Sequence, residues 1–176
     1  ESNILKDIQK LFDWVGDREV IDLGRNGGFA HKGMYKIENK WIMKVTNLRE
    51  YTITHHLQGH DNIVSMMPMS QRSGKYASVV MEYCDKGNLS NCDITEIGKQ
   101  NIIEDIAKGV GHMLSKGYIQ NDLWRERGEH LSNFFVRKNG TVVLGDFGNV
   151  SKVTNKNLSE LTKQLDNIIE YINIYY

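Results

Sequence analysis

The stretch from Tyr118 to Val150 constrains the chain more than any other: an apolar lead-in, an Asp after a turn, then an Asn, a strand pair and Asp146-Phe147-Gly148. The strand pair reads as a short hairpin. A hairpin brings the chain back near its point of departure, so Asn133 before it and Asp146 after it converge on one place. An amide oxygen and a carboxylate so placed form a hard-oxygen site for Mg²⁺ carrying a nucleotide phosphate. Asp146-Phe147-Gly148 by itself is a weak signal, since any tripeptide occurs by chance. It gains weight from Asn133, 13 residues before Asp146, and from the lead-in Lys116-Gly117-Tyr118-Ile119 ahead of Asn121-Asp122-Leu123.

Composition narrows the classes. A length of 176 residues fits about one domain. Hydrophobic residues at 40% and charged residues at 25% are those of an ordinary globular protein. With 22 basic and 22 acidic residues, no charge surplus argues for a nucleic acid partner. No apolar run is long enough to span a membrane, and nothing at the start reads as a signal peptide. The chain opens at Glu1 without Met, so upstream residues are expected, with room for a targeting or secretion segment. Cys84 and Cys92 are too few for a disulfide framework and read as small buried or half-buried thiols. His55, His56 and His60 have no Cys or carboxylate at ligand spacing, so no histidine metal site is expected. A single proline and no low-complexity tract leave no linker or repeat.

Helical spacing of Ile4, Leu5, Ile8, Leu11, Phe12 and Val15 predicts an amphipathic helix over 3–15. From Arg18 to Val45 the pattern is strand, glycine-rich turn, strand, Glu-Asn-Lys turn, strand, an antiparallel meander. The turn Gly24-Arg25-Asn26-Gly27-Gly28-Phe29 joins two strands, and its backbone N–H groups can face an anion. It fits neither a Rossmann loop nor a Walker loop, and its plainest reading is a hairpin turn. Lys44, inside Trp41-Ile42-Met43-Lys44-Val45, must be either at an edge or paired. Glu50–Leu57 reads as a short helix whose dipole favours Glu50 at its start. Residues 63–69 and 76–84 read as further strands. Asp93 or Thr95 is placed to cap a helix with Glu96 in its first turn, running through Ile97, Ile102, Ile103, Ile106, Val110, Met113 and Leu114 to a C′ Gly117. A last helix is predicted from Leu158 to Ile174.

These motifs together resemble the protein kinase superfamily over nearly the whole chain, which is about two-thirds of a standard kinase. The Asn133…Asp146-Phe147-Gly148 block resembles the metal-binding loops, with Asn133 and Asp146 as Mg²⁺ ligands. The resemblance implies ATP phosphates held by Gly24, Gly27 and Gly28 of the glycine loop, where Asn26 replaces a usual glycine. Lys44, 20 residues after Gly24, is implied to hold the α- and β-phosphates with Glu50 as its partner, at an unusually short separation. His60-Asp61-Asn62-Ile63-Val64 resembles the segment that follows that helix. Val79 to Leu89 resembles the hinge, with Met81 as gatekeeper, the backbone of Glu82 and Cys84 on the adenine edge, and Asp85 or Asn88 near the ribose. Gln120-Asn121-Asp122 stands for His-Arg-Asp, which makes Asp122 the catalytic residue that orients the acceptor hydroxyl. Asn133 follows Asp122 by eleven residues rather than five, as if Trp124 to Glu129 were inserted. Counting back five instead reaches Gly128, a register that leaves no catalytic Asp. Arg125 or Arg127 is available to neutralise γ-phosphate charge.

The implied fold class is α+β: a minimal two-lobed kinase-like domain, about 1–81 as the small sheet lobe, 82–89 as hinge and 90–176 as a reduced helical lobe without the usual activation segment. The implied activity is ATP- and Mg-dependent transfer to Ser or Thr, less readily Tyr, of a protein. The brevity resembles the minimal kinases that bacteria inject through type III secretion into the host cytoplasm, which implies a host protein substrate, a heat-shock chaperone of the ninety-kilodalton class among them, and an activating or chaperone partner. The alternatives left open are a pseudokinase that binds a host partner and a small-molecule phosphotransferase. No membrane or nucleic acid partner is expected.

Overall fold

β-Branched and aromatic runs between Val20 and Glu82 pair as one antiparallel sheet in the computed structural model, which describes residues 2–24, 33–93, 95 and 97–176. Its strands are β1 (Val20–Asp22), β2 (Gly33–Ile37), β3 (Trp41–Asn47), β4 (Gln71–Ser73) and β5 (Tyr76–Glu82), in the spatial order β1-β2-β3-β5-β4. Glu38 and Asn39 both take left-handed backbone (φ 53° and 55°), which turns β2 tightly into β3. Helix α1 (Ser2–Leu11) lies along β4 and β5. Leu11 and Val15 join Ile37, Met43, Val45 and Val80 in a core that excludes water, the main favourable term for so small a unit. Helix α2 (Leu48–Leu57) starts at the residue after β3, and Asn47 both ends the strand and caps the helix, its Oδ1 accepting the Glu50 N–H at 2.8 Å. These elements make one compact unit, residues 1–58 with 65–83.

Residues 59–64 and 84–176 make the other. Its centre is α3 (Lys99–Ser115), with Ile102, Ile106, Val110 and Met113 buried. Two short ladders follow: β6 (Tyr118–Gln120) pairs with β9 (Val150–Lys152), and β7 (Phe134–Val136) pairs with β8 (Val142–Leu144). Gly109 of α3 backs onto β8 so closely that a Cβ there would collide with Leu144 and stand 3.0 Å from the Asn62 carbonyl, which is why a residue without a side chain sits mid-helix. Asn62 stitches its own segment to that hairpin: its Nδ2 donates to the Val142 carbonyl and its carbonyl accepts the Leu144 N–H, both at 2.9 Å. Helix α4 (Asn155–Tyr175) opens with a reciprocal Thr154–Asn157 capping box and buries Leu161, Ile168 and Ile172.

Four sequence expectations are corrected. The first helix ends at Leu11, not Val15, and the chain turns through Gly16 at φ 58°. Residues 63–69 form no named strand. Pro68 has no N–H to give a ladder, and the segment contributes only isolated bridges at Ile63 and Met66, with β4 formed later. Asp93 does not cap α3: its carboxylate accepts the Thr95 N–H and hydroxyl, while α3 starts at Lys99 behind Gly98 with no side-chain cap; Glu96 lies outside the described residues. The last helix starts three residues early because the capping box fixes its entry at Thr154. Gly117, at φ 84°, does end α3 as expected, and Cys84 and Cys92 are not joined in a disulfide. Among the described residues no helix is long and apolar enough to cross a membrane.

Candidate functional site

In the first unit, Lys44 and Glu50 meet. Lys44 sits in the four-residue buried run of β3, where an unpaired ammonium would be very costly. Its Nζ lies 2.9 Å from Glu50 Oε1, and both side chains are 3% exposed. Glu50 is held in place by its own helix start, its N–H on Asn47 and its carbonyl accepting the Thr54 hydroxyl. The short Lys–Glu separation has a simple cause: the strand passes into the helix with no loop between them. Position at a helix N-terminus and pairing with Lys44 therefore both act on the same carboxylate.

In the second unit, the β7–β8 hairpin does what its sequence implies. Phe134 pairs with Leu144, and the Gly145 N–H donates to the Asn133 carbonyl at 3.2 Å, so Asn133 and Asp146 flank the open end of the ladder. Asn133, 6% exposed, donates its Nδ2 to the Asp122 carbonyl at 2.7 Å, which leaves its Oδ1 as the end suited to a cation. Asp122 thus sits beside both metal-ligand candidates although eleven residues of chain separate it from Asn133. Gly128, the rival position, is exposed at φ 78° out on the loop. The Asp122 carboxyl titrates above its usual range. Burial is the largest cause and the charge of Asp146 the second; Asn133, Arg125 and Asn149 act the other way. Asp146 itself takes a left-handed backbone, φ 61°, a strain of about 1–3 kcal/mol that a non-glycine residue keeps only when its surroundings enforce it.

The enforcing residue was not legible in the sequence. Gln120, 2% exposed, donates its Nε2 to the Asp146 carbonyl at 2.6 Å, while its Oε1 receives the Asp122 N–H at 3.4 Å. One amide therefore links the backbones of both acids. Asn149 is a second residue sequence reasoning missed: its Nδ2 lies 3.5 Å from Asp122 Oδ1. The signal available was only an excess of amides around Asp122, which has no period and no spacing rule.

The residues between Asp122 and Asn133 are a folded loop. Trp124 stacks on His130 with ring centres 4.4 Å apart and planes 4° from parallel, and Tyr171 of α4 meets both edge-on. The Trp124 backbone N–H donates to Gln164 Oε1, and Glu129 accepts from the side chains of Asn88 and Asn91. Arg125 and Arg127 are both exposed; Arg125 acts electrostatically on Asp122 and donates to Ser132.

The remaining predicted residues are placed as follows. Gly24 has φ 81°, and its N–H is taken by Asp22; Gly27 and Gly28, with Asn26 and Phe29, lie outside the described residues. The Glu82 N–H donates to the Ser65 carbonyl at 3.0 Å, and Cys84, 6% exposed, accepts the Gly87 N–H through its carbonyl at 2.9 Å.

The protein kinase domain family model matches residues 18–171. The chain is 29% identical over 126 residues to "Fatty acyl-CoA synthetase and RNA processing-associated kinase 1" of Saccharomyces cerevisiae, an alignment covering 69% of this chain and 14% of that protein. It is 33% identical over 96 residues to "Serine/threonine-protein kinase Nek3" of Mus musculus, covering 51% of this chain and 17% of that protein. The chain therefore spans less than a fifth of the length of either relative.

Proposed function

The chain belongs to the protein kinase domain family, and from that premise we propose that it transfers the γ-phosphoryl group of ATP to a Ser or Thr hydroxyl of a protein. The observation that carries this reading is the convergence of Asp122, Asn133 and Asp146, three groups far apart in sequence, on one end of a hairpin. Asn133 and Asp146, an amide oxygen and a carboxylate, are hard donors that would hold Mg²⁺. It would supply positive charge to offset that of the phosphates.

The chain's own residues do the rest. Lys44, kept charged and straight by Glu50, holds the α- and β-phosphates. The glycine turn that begins at Gly24 is assigned to the phosphates, and the backbone of Glu82 and Cys84 to the adenine edge. Asp122 accepts a hydrogen bond from the acceptor hydroxyl and aims its oxygen at the γ-phosphorus. The O–P bond to the acceptor forms, the bond to the β-phosphate oxygen breaks, ADP leaves, and the hydroxyl proton passes to Asp122. Arg125 counters negative charge beside it. Almost all of the rate then comes from placement and charge, not covalent chemistry by the protein.

The experiment is transfer of labelled γ-phosphate from Mg·ATP into a eukaryotic cell lysate by wild type and by Asp146→Ala. A labelled band given by wild type alone supports the reading and yields the acceptor, with host proteins such as a ninety-kilodalton heat-shock chaperone among those to be resolved. No transfer, together with no Mg·ATP-induced rise in melting temperature, would overturn it in favour of a partner-binding role.

A further inference from the structure

Asp122 is fixed along its main chain, by Asn133 at its carbonyl and by Gln120 at its N–H. The carboxylate itself can still turn about χ1 and χ2, and the groups that face it are Asn133, Arg125 and Asn149. That rotation decides whether an oxygen faces an acceptor hydroxyl or turns aside, and a 1 Å misplacement can cost about 10²-fold in rate.

A polar relay runs to that carboxylate from the end of the β6–β9 ladder. Just past the Gln120–Val150 pair, the Asn121 N–H donates to the Asn149 carbonyl at 2.9 Å. The Asn121 side chain bridges two residues of the facing strand segment: its Nδ2 donates to Ser151 Oγ at 2.7 Å and to Asn149 Oδ1 at 3.3 Å. A primary amide whose oxygen is engaged on one side must turn its NH₂ to the other. For Asn149 that other side is Asp122, with Nδ2 3.5 Å from Oδ1, a long contact of the kind that tightens when substrate arrives. Asn121 and Asn149 are both exposed, so neither is needed to fill the core, and asparagine is a poor strand former. Packing and propensity do not account for two interlocked asparagines here.

We propose that Asn149, oriented by Asn121 and Ser151, is a positioning residue that sets the rotamer of the Asp122 carboxylate for the acceptor hydroxyl. The inference rests on the reading of Asp122 as the group that orients the acceptor. Asn149 acts through Asp122 and touches neither ATP nor acceptor. Asn121 acts one step further back.

The test uses the full chain and three variants: Asn149→Asp, which keeps the shape and removes the donor, Asn149→Ala and Asn121→Ala. Three-bond couplings from Asp122 Cγ to its backbone nitrogen and carbonyl carbon report its χ1 populations without any acceptor. One dominant rotamer in wild type that becomes averaged in Asn149→Asp and Asn149→Ala, and partly so in Asn121→Ala, is the expected result. In labelled transfer from Mg·ATP, Asn149→Ala lowers kcat about three- to tenfold, the scale of one ordinary hydrogen bond. KM for ATP and the Mg·ATP-induced thermal shift stay at wild-type values. In an Asp122→Asn background, Asn149→Ala has no further effect. Unchanged couplings in Asn149→Asp, averaging already present in wild type, or an Asn149→Ala effect that persists without the Asp122 carboxylate would each overturn the proposal. Full transfer by Asp122→Asn alone would instead overturn the role of Asp122, and the couplings would still decide whether Asn149 fixes that side chain.

Discussion

Lys44–Glu50 and Asp122–Asn133–Asp146 solve opposite electrostatic problems. The first is a buried pair of unlike charges, 2.9 Å apart, each the other's counter-ion. The second sets two like charges side by side, backed by amides, with Arg125 the cation that most affects Asp122. A matched pair in a dry place is complete when the chain has folded. Two like charges backed by amides and one arginine are stabilised further by added cationic charge. The first site should therefore matter to stability as much as to catalysis, and the second mostly to catalysis.

The strongest way to break this contrast is Lys44→Met. Removing one partner leaves Glu50 buried without its counter-ion, and the expected loss is about 3–5 kcal/mol with phosphoryl transfer abolished, read by denaturant unfolding. The double variant Lys44→Met/Glu50→Leu should regain most of that stability and none of the activity. If the single variant unfolds like wild type, the pair is not a structural unit. Asp146→Asn should do the reverse. Transfer falls by about 10²-fold or more and the Mg·ATP-induced rise in melting temperature disappears, while unfolding without nucleotide is little changed. A large loss of stability there would erase the difference between the two sites.

A finer test uses pH. Because the native carboxyl of Asp122 titrates above its unfolded value of 3.8, the native state holds its proton more tightly than the unfolded chain. Ionisation therefore costs native stability. The cost begins as pH rises past 3.8 and is complete above the native pKa. Asp122→Asn should be more stable than wild type at neutral pH, with the gap closing toward pH 3.8, although its transfer is strongly reduced. The smallest effect concerns His60, whose ring stacks on His112 at 4.6 Å. Its pKa is lowered from 6.5, first by burial and then by His112 and Lys108, against the pull of Asp61. The unfolded chain takes up that proton first, so stability is flat above pH 6.5 and declines below it until the native ring also charges. Removing the like-charge neighbour with His112→Ala should narrow that decline, measured as the change in unfolding midpoint between neutral and mildly acidic pH.

The two sites were unequally legible before folding. Asn133, Asp146 and the hairpin between them obey local rules of turn and strand, and a lysine among apolar neighbours announces a partner. The brief spacing from Lys44 to Glu50 looked like a departure only because nothing local says that a strand will become a helix without a loop. Gln120, Asn121 and Asn149 were silent, since amide-to-amide bonds across a fold leave no periodic trace. The apolar run at 63–69 misled for the converse reason: hydrophobicity reports burial, and Ile63 and Val64 are buried without forming a ladder. The Trp124–His130 stack shows the same limit, because two aromatic residues six apart give no hint that a loop closes between them.

Asn47 serves two elements at once, as the last rung of β3 opposite Tyr76 and as the cap of α2. A joint without slack transmits every displacement. Helix α2 has no hinge of its own, so moving Glu50 away from Lys44 would require Asn47 to give up either its rung or its cap. The ion pair is then a fixed rivet and not a latch, and any control over the proposed activity has to be exerted on other parts.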